Sequence, residues 1–258
     1  MNFRYLPNKG AMPPCIAPKS GESAHRFWLD STPARRFLRH NIAAILGAIM
    51  LGACGLAAAQ ANLKASDFQR LSPPRPVATG DRIEVIEFFY YGCPVCYEFQ
   101  PHLSRWLVQG PDRVSIRRVP TLPSEGSEGL DGWVRFARLY YTLEALGQIA
   151  RLHWPIYDNF HFDGVRLNDE KVMVEWVSKN GIDRDKFLAI YRSPAIQAKL
   201  DEVRKLLLAY DVRSVPSMVI DGKYLSTARM AGGTRQLIRA VDNLVRQARK
   251  ERPKERPN

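Results

Sequence analysis

The chain has 258 residues, of which 45% are hydrophobic, and a formal net charge of +12. Its length is ample for one domain with a real core. Much of the positive charge lies in an N-terminal leader and in residues 246–258, where six Lys or Arg accompany two Glu. Because much of this charge lies at the two ends of the chain, it gives no indication of nucleic-acid binding. We therefore expect no nucleic-acid partner.

The first 61 residues have the layout of an export signal. A basic stretch at residues 35–40 precedes an apolar run over residues 42–59, and Ala59-Gln60-Ala61 forms an A-x-A cleavage pattern. We predict that residues 1–61 are an export signal region, removed by cleavage. Two alternatives stay open: a retained membrane tether, because the run is close to bilayer-spanning length, and a lipoprotein with its N-terminus at Cys54.

Residues 62–122 predict a polar lead-in, a strand, a helix and a second strand. The apolar run over residues 81–90 is typical of a buried strand. Gly92-Cys93-Pro94 then turns into a helix, where Pro94 suits the first position because its missing N–H has no partner to lose. Residues 113–119 alternate between apolar and other side chains, which indicates the second strand.

Residues 123–210 predict a block of consecutive helices, which we interpret as an inserted α-helical domain. Apolar and aromatic side chains recur at helical spacing, and we assign them to the core. Asn180-Gly181 is a stop signal for one helix, and Asp183 can cap the next.

Residues 211–247 return to strand character and end in a helix. A strand over residues 215–220 is followed by the turn signal Asp221-Gly222, a second short strand and an amphipathic helix over residues 234–247. The basic residues 248–258 predict a disordered tail. The predicted order of elements is β-α-β, a helical block, then β-β-α. This order places the fold in the α/β class.

The cysteine count narrows the chemistry. Cleavage of the leader removes Cys15 and Cys54 and leaves only Cys93 and Cys96. A disulfide across two intervening residues closes a very short loop and stabilises little by chain entropy, so an inert structural bridge is a weak alternative. A zinc site is the other alternative, but it needs four ligands, and the sequence offers no second cysteine pair and no paired histidines.

Cys93-Pro94-Val95-Cys96 follows a predicted strand and opens a predicted helix, the context that makes a C-x-x-C a redox motif. A thiol at a helix N-terminus faces unpaired N–H groups and the positive end of the helix dipole. We therefore expect Cys93 to have a lowered pKa and to be the nucleophile, and Cys96, one turn further, to be the buried resolving thiol.

The run FFYYGCPVCYEF at residues 88–99 resembles the active-site signature of the DsbA family. Val215-Pro216 before a strand, with GKYL at residues 222–225, resembles that family's second signature, and the similarity spans about residues 81–244. The resemblance implies a thioredoxin fold with an inserted α-helical domain. It also implies a periplasmic oxidase that is a monomer without metal or bound cofactor. Its partners would be reduced, unfolded exported proteins and a DsbB-type, quinone-linked membrane protein that reoxidises it.

The resemblance also carries residue roles. Val215-Pro216 matches the cis-proline dipeptide beside which an extended substrate chain binds; an ordinary trans proline is the alternative. Glu87 matches the family's buried acid, which could move the Cys96 proton; a strand-edge Glu that reaches solvent is the alternative.

Further substrate contacts are expected around the motif. Pro94 and Val95 lie between the cysteines, and we assign both to substrate binding. Tyr91, together with Tyr90 and Met218, could line an apolar patch for unfolded chain; core packing is the alternative for these three.

Val95 is a departure, because the best-known form of DsbA has His at this place, where it can help to stabilise the thiolate. DsbA is the usual example of an extreme thiolate pKa and a strongly oxidising potential. With Val95 we expect a thiolate that is still favoured and a milder oxidant. A reductase or isomerase of the same fold, and a redox-inert periplasmic binding module, stay open as alternative functions.

Overall fold

A computed structural model of the chain describes residues 63–110, 113–123 and 130–252. The predicted export signal, residues 1–61, and the last six residues of the predicted tail lie outside this part of the chain. Across the described residues, no helix is both long enough and apolar enough to span a membrane.

The centre of the fold is a mixed five-stranded sheet. Its strands are β1 (Gln69–Arg70), β2 (Ile83–Phe89), β3 (Val114–Pro120), β4 (Ser217–Ile220) and β5 (Tyr224–Thr227). Their order is β1-β5-β4-β2-β3, with β2 and β3 parallel and every other neighbouring pair antiparallel. Strand β2, which leads into the C-x-x-C motif, therefore lies in the interior of the sheet.

Eight α-helices surround the sheet in the described part of the chain. They are α1 (Pro94–Val108), α2 (Asp131–Ala145), α3 (Ile149–His161), α4 (Glu170–Lys179), α5 (Arg184–Tyr191), α6 (Pro194–Ala209), α7 (Ala228–Ala231) and α8 (Thr234–Glu251). The five helices from α2 to α6 follow one another without a strand between them.

Strand β2 is buried along almost its whole length because helices cover both faces of the sheet. Ile83 and Val85 pack in a core with side chains of α1 and α8. Ile86 and Phe88 point to the opposite face and pack in a second core with the helices α2 to α6. This two-sided burial explains why β2 has apolar residues facing both sides of the sheet, with Glu84 and Glu87 as its two charged residues.

Local signals fix several helix ends. The Asp183 side chain accepts a hydrogen bond from the backbone N–H of Lys186 at 2.8 Å and so caps α5, as predicted. Gly181 follows α4 at a φ of +78°, a left-handed conformation that suits glycine. At the β4–β5 turn, Asp221 and Gly222 both have positive φ, in keeping with the predicted hairpin signal.

Three short elements are absent from the sequence prediction: a 3-10 helix (Ala65–Asp67), strand β1 and helix α7. Strand β1 lies in the segment that we interpreted as a polar lead-in; it has only two residues, both exposed, and therefore no apolar alternation. Helix α7 is a single turn that the Thr227 side chain caps by accepting from the N–H of Met230 at 3.1 Å.

The C-terminal helix is longer than predicted. Helix α8 continues to Glu251, so residues 248–251 are helical and the prediction that disorder begins at residue 248 is wrong. Ala248 is fully buried. Beyond it, Glu251 accepts from the Tyr224 hydroxyl, and Arg252 pairs with the buried Asp221. These contacts with the β4–β5 hairpin hold the last turn in place.

Candidate active site

The turn between β2 and α1 presents the two cysteines. Cys93 is the N-cap of α1, and its Sγ accepts a hydrogen bond from the Cys96 backbone N–H at 3.4 Å. Pro94 occupies the first turn of the helix. Gly92 precedes them, and a Cβ there would lie 2.5 Å from the Tyr90 ring. A side chain at position 92 would therefore force the Tyr90 ring to move.

The two thiols have opposite electrostatics. A hydrogen bond from the Cys96 thiol, aided by the backbone N–H groups of Cys96 and Val95, lowers the Cys93 pKa to about 6 against the opposing effect of burial. Burial is the main reason that the pKa of Cys96 lies well above its ordinary value, and the charge on Cys93 adds to it. Both cysteines are free thiols in the structure. Half-buried Cys93 is thus prepared to be a thiolate, and fully buried Cys96 to be a thiol.

The loop before β4 lies beside Cys93. The Val215–Pro216 peptide bond is cis, the isomer that the resemblance implies. As a thiol, Cys93 donates to the Val215 carbonyl oxygen at an Sγ–O distance of 3.8 Å. Val215 is half-buried and Pro216 is buried, whereas Pro94 and Val95 are exposed. Pro94, Val95 and the half-buried Val215 are therefore accessible residues beside Cys93.

Tyr91 does not line a surface patch, so its assignment to substrate contact is wrong. Its side chain is fully buried. The Tyr91 hydroxyl hydrogen-bonds to His153 Nδ1 at 2.8 Å, and the Tyr91 carbonyl lies 2.7 Å from His161 Nε2. Both histidines belong to α3, so these two hydrogen bonds connect the active-site turn to the helical block.

The other two members of the expected patch behave differently from each other. Met218 is fully buried between the sheet and α1 and α8, which is core packing. Tyr90 is half-buried and stacks on Trp133 of α2, with the ring centroids 3.7 Å apart and the planes 7° from parallel. Tyr90 alone of the three keeps an accessible surface close to Cys93.

Glu87 is fully buried, and the alternative of a strand-edge side chain that reaches solvent is wrong. Strand β2 has β3 on one side and β4 on the other, so it has no free edge. The carboxylate accepts hydrogen bonds from Gln100 Nε2 of α1 and, at 3.1 Å, from Arg118 Nε of β3. Burial raises the Glu87 pKa, while Arg118 and Gln100 oppose this effect.

Sequence reasoning missed Gln100 and Arg118 as part of the site. Gln100 left a signal, because it is a buried polar residue next to Phe99 on the apolar face of α1. No feature of the sequence points to Arg118, because it lies opposite Glu87 only through the parallel register of β2 and β3. That register depends on tertiary structure.

Residues 63–110, 113–123 and 130–252 contain no group of three or more His, Cys, Asp or Glu that could hold a metal ion. What the site does offer is a stabilised thiolate beside a protonated thiol, with a buried carboxyl group nearby. These are the groups needed for thiol–disulfide exchange.

Comparison with known proteins gives a consistent result. The family model of the DSBA-like thioredoxin domain matches residues 121–238. The thiol:disulfide interchange protein DsbA of Azotobacter vinelandii is 37% identical over 213 residues, covering 80% of this chain and 97% of that protein. DsbA of Pseudomonas aeruginosa is 33% identical over 183 residues, covering 71% of this chain and 84% of that protein.

Solved structures are similar over the same region. The crystal structure of Pseudomonas aeruginosa DsbA superposes with a TM-score of 0.64 at 33% identity, over 71% of this chain and 93% of that one. The oxidoreductase DsbA from Xylella fastidiosa also gives a TM-score of 0.64, at 25% identity, over 73% of this chain and 98% of that one.

Proposed function

The chain belongs to the DsbA family of thiol:disulfide oxidoreductases with a thioredoxin fold, and from this premise we propose that it donates the Cys93–Cys96 disulfide to reduced exported proteins. The observation that carries the proposal is the pair of opposite shifts, with a Cys93 pKa of about 6 beside a buried Cys96 thiol. A thiolate of low pKa is a good leaving group, so exchange favours disulfide formation in the client.

The steps follow from the positions of the two sulfurs. A client thiolate attacks Cys93 Sγ, which is half-buried, and the S–S bond breaks with its electron pair on Cys96. A second client thiolate then attacks the client sulfur of the mixed disulfide, and Cys93 leaves as a thiolate. The client is oxidised by two electrons, and the Cys93–Cys96 pair is reduced to the dithiol.

Client binding is assigned to the accessible groups beside Cys93. Pro94 and Val95 are exposed, and the Val215 backbone borders the same sulfur. An extended client chain has backbone groups that suit such a loop edge. Pro216 is buried, and we give it the role of shaping the Val215 backbone.

Glu87 is assigned to proton transfer with Cys96. It is fully buried, and it is among the groups whose charge raises the Cys96 pKa. A carboxyl group of raised pKa can supply the proton that the Cys96 thiolate takes up as it leaves the disulfide.

We extend the proposal to the setting of the reaction. A periplasmic location after cleavage of residues 1–61, or a membrane tether or lipid anchor that leaves the chemistry unchanged, is supported by the sequence pattern of the leader. A monomer reoxidised by a DsbB-type membrane protein is supported by the family. The intact mass of the exported protein distinguishes the cleaved, anchored and lipidated forms.

Disulfide transfer to a reduced, unfolded model protein with two cysteines tests the proposed function. The oxidised protein should form the client disulfide stoichiometrically, while Cys93→Ala should form none, because Cys96 alone cannot form the intramolecular disulfide that is donated. If Cys93→Ala still prevents aggregation of the client and the wild-type protein transfers no disulfide, the chain is instead a redox-inert binding module.

A further inference from the structure

The side chain of Gln100 is buried against the carboxyl group of Glu87. Gln100 is 1% exposed and Glu87 is 0% exposed, and Gln100 Nε2 donates a hydrogen bond to Glu87 Oε1. Gln100 lies on α1, four residues after Cys96 and therefore one turn further along the same helix face. Polar groups this deeply buried are retained where each has a partner, so the bonding of this pair has to be accounted for atom by atom.

The two oxygens of the Glu87 carboxyl group have different kinds of partner. Oε1 accepts from the Gln100 amide, and Oε2 accepts from Arg118 Nε at 3.1 Å. An arginine has donors only and stays charged, so Arg118 can pair with the carboxylate but can never accept a hydrogen bond. A glutamine amide presents a donor, Nε2, and an acceptor, Oε1, at nearly equivalent positions. Of the two partners, Gln100 is therefore the one that can also accept the proton of a neutral Glu87.

Four further titratable side chains lie within electrostatic reach of Glu87. They are Tyr91 of the active-site turn, Cys96 of α1, Tyr140 of α2 and Tyr157 of α3. Burial is the main reason that the pKa of each of them is raised, and the charge on Glu87 adds to it. The three tyrosines therefore keep their protons, and the proton that moves in this core is shared between Glu87 and the Cys96 sulfur.

We propose that Gln100 is a positioning residue whose side-chain amide flips as Glu87 gains and loses its proton. This inference rests on the proposed function, in which Glu87 supplies the proton that the Cys96 sulfur takes up. In the oxidised protein, the neutral carboxyl O–H donates to Gln100 Oε1. When the Cys93–Cys96 bond breaks, Cys96 takes the electron pair and then the Glu87 proton, and Gln100 Nε2 donates to the carboxylate that remains.

The structure has the bonding that this scheme assigns to the reduced protein. Cys93 and Cys96 are both free thiols, and the amide donates to Glu87 rather than accepting from it. A flip exchanges the amide oxygen and nitrogen without moving the rest of the side chain. Gln100 thus keeps the acid hydrogen-bonded, and its carboxyl group oriented, in both protonation states.

A double-mutant cycle tests whether Gln100 acts through Glu87. Methionine is unbranched and has no hydrogen-bond donor, so Gln100→Met removes the amide with little change in shape. It should slow the attack of reduced glutathione on the oxidised protein about fivefold, whereas the same substitution in a Glu87→Gln background should add no further slowing. Urea unfolding verifies that each variant folds. Equal slowing in both backgrounds would assign Gln100 a structural role alone and overturn the inference.

Carbon-13 NMR of the Glu87 carboxyl group distinguishes an amide that flips from one that only donates. The oxidised protein is used, because Cys96 has no proton there, and the Glu87→Gln spectrum assigns the signal. If the amide serves both states, each loses one hydrogen bond in Gln100→Met, and the ionisation constant of Glu87 stays within about twofold of wild type. A fixed donor stabilises the carboxylate alone, so a constant weakened about tenfold would refute the flip.

The wild-type protein supplies a readout that needs no variant to carry the reaction. Nitrogen-15 signals of the Gln100 side-chain amide should change with pH at the same midpoint as the Glu87 carboxyl carbon. Amide signals that stay constant across that midpoint would contradict the inference, as would a Glu87 carboxyl group that does not titrate while the protein is folded. A wild-type protein that exchanges no disulfide would instead contradict the proposed function itself.

Discussion

At the scale of single residues, the chemistry depends on the different surroundings of two cysteines three positions apart. Cys93 is the helix cap and receives hydrogen bonds, whereas Cys96 is one turn inside the helix and fully buried. The C-x-x-C spacing predicted this difference in burial and pKa, since a helix N-terminus stabilises the first sulfur as an anion. The sequence could not predict the size of either shift, because burial and the hydrogen bond between the two cysteine side chains contribute to both.

The Cys93 pKa of about 6 predicts the pH dependence of its reactivity. The rate of alkylation by iodoacetamide should rise with pH to a plateau, with a midpoint at about pH 6, while Cys96 stays unmodified in the folded protein. Because this pKa is lowered from its value in the unfolded chain, the thiolate stabilises the dithiol form at higher pH, and this stability is lost as pH falls through 6. A midpoint at about 8.5, the value of an ordinary thiol, would contradict the assignment.

Glu87→Gln tests whether burial or the ion pair with Arg118 has the larger effect on the pKa of the Glu87 carboxyl group. Burial raises the Glu87 pKa, so the wild-type fold loses stability as pH rises through that value, and Gln removes this loss. The free energy of unfolding of Glu87→Gln relative to wild type should therefore increase between pH 4 and pH 8, measured by urea denaturation. Glu175→Gln, at an exposed position, is the control. A difference that decreases with pH would show that the ion pair dominates.

At the scale of elements, strongly patterned segments were predictable and short ones were not. The strand predicted over residues 81–90 is β2, Ile83–Phe89, and the predicted start of the next helix is the observed one, Pro94. Strand β1 exists only through its pairing with β5. The burial of the Tyr91 and Met218 side chains also could not be predicted from the sequence. An aromatic or Met residue beside an active site shows the same sequence pattern whether it faces the core or the surface.

The last turn of α8 offers a test of tertiary stabilisation. A chain that ends at Gln247 loses the buried Ala248, the Glu251–Tyr224 hydrogen bond and the Arg252–Asp221 pair. It leaves Asp221 buried with only Lys223 as a partner. We expect it to be less stable by about 3 kcal/mol than a chain that ends at Arg252, because a buried charge has lost a partner. Equal urea midpoints for the two chains would show that this turn contributes nothing.

At the scale of the whole molecule, the sheet holds β2 and the loop before β4 side by side, and the helices α2 to α6 cover the face that holds Ile86 and Phe88. We interpret residues 123–210 as an inserted domain that closes over the buried sulfur and leaves Cys93 at the surface. The resemblance in two short signatures predicted this arrangement, which composition alone could not. The resemblance could not predict the Glu87–Arg118 ion pair, because the register of β2 and β3 is set by the assembled sheet.

The direction of electron flow is the central claim, and it depends on the relative stability of the dithiol and disulfide forms. A thiolate stabilised in the folded dithiol form raises the reduction potential. Val95 supplies no donor to Cys93 beyond its backbone N–H, so the potential should be set mainly by the helix N-terminus and the Cys96 thiol.

The most direct test is the equilibrium reduction potential of the Cys93–Cys96 pair, measured against a series of glutathione redox buffers. The account predicts a potential well above that of glutathione, which makes the oxidised protein a donor of disulfides despite Val95. A potential near that of thioredoxin, about −270 mV, would contradict it and assign the protein to the reductases of the same fold.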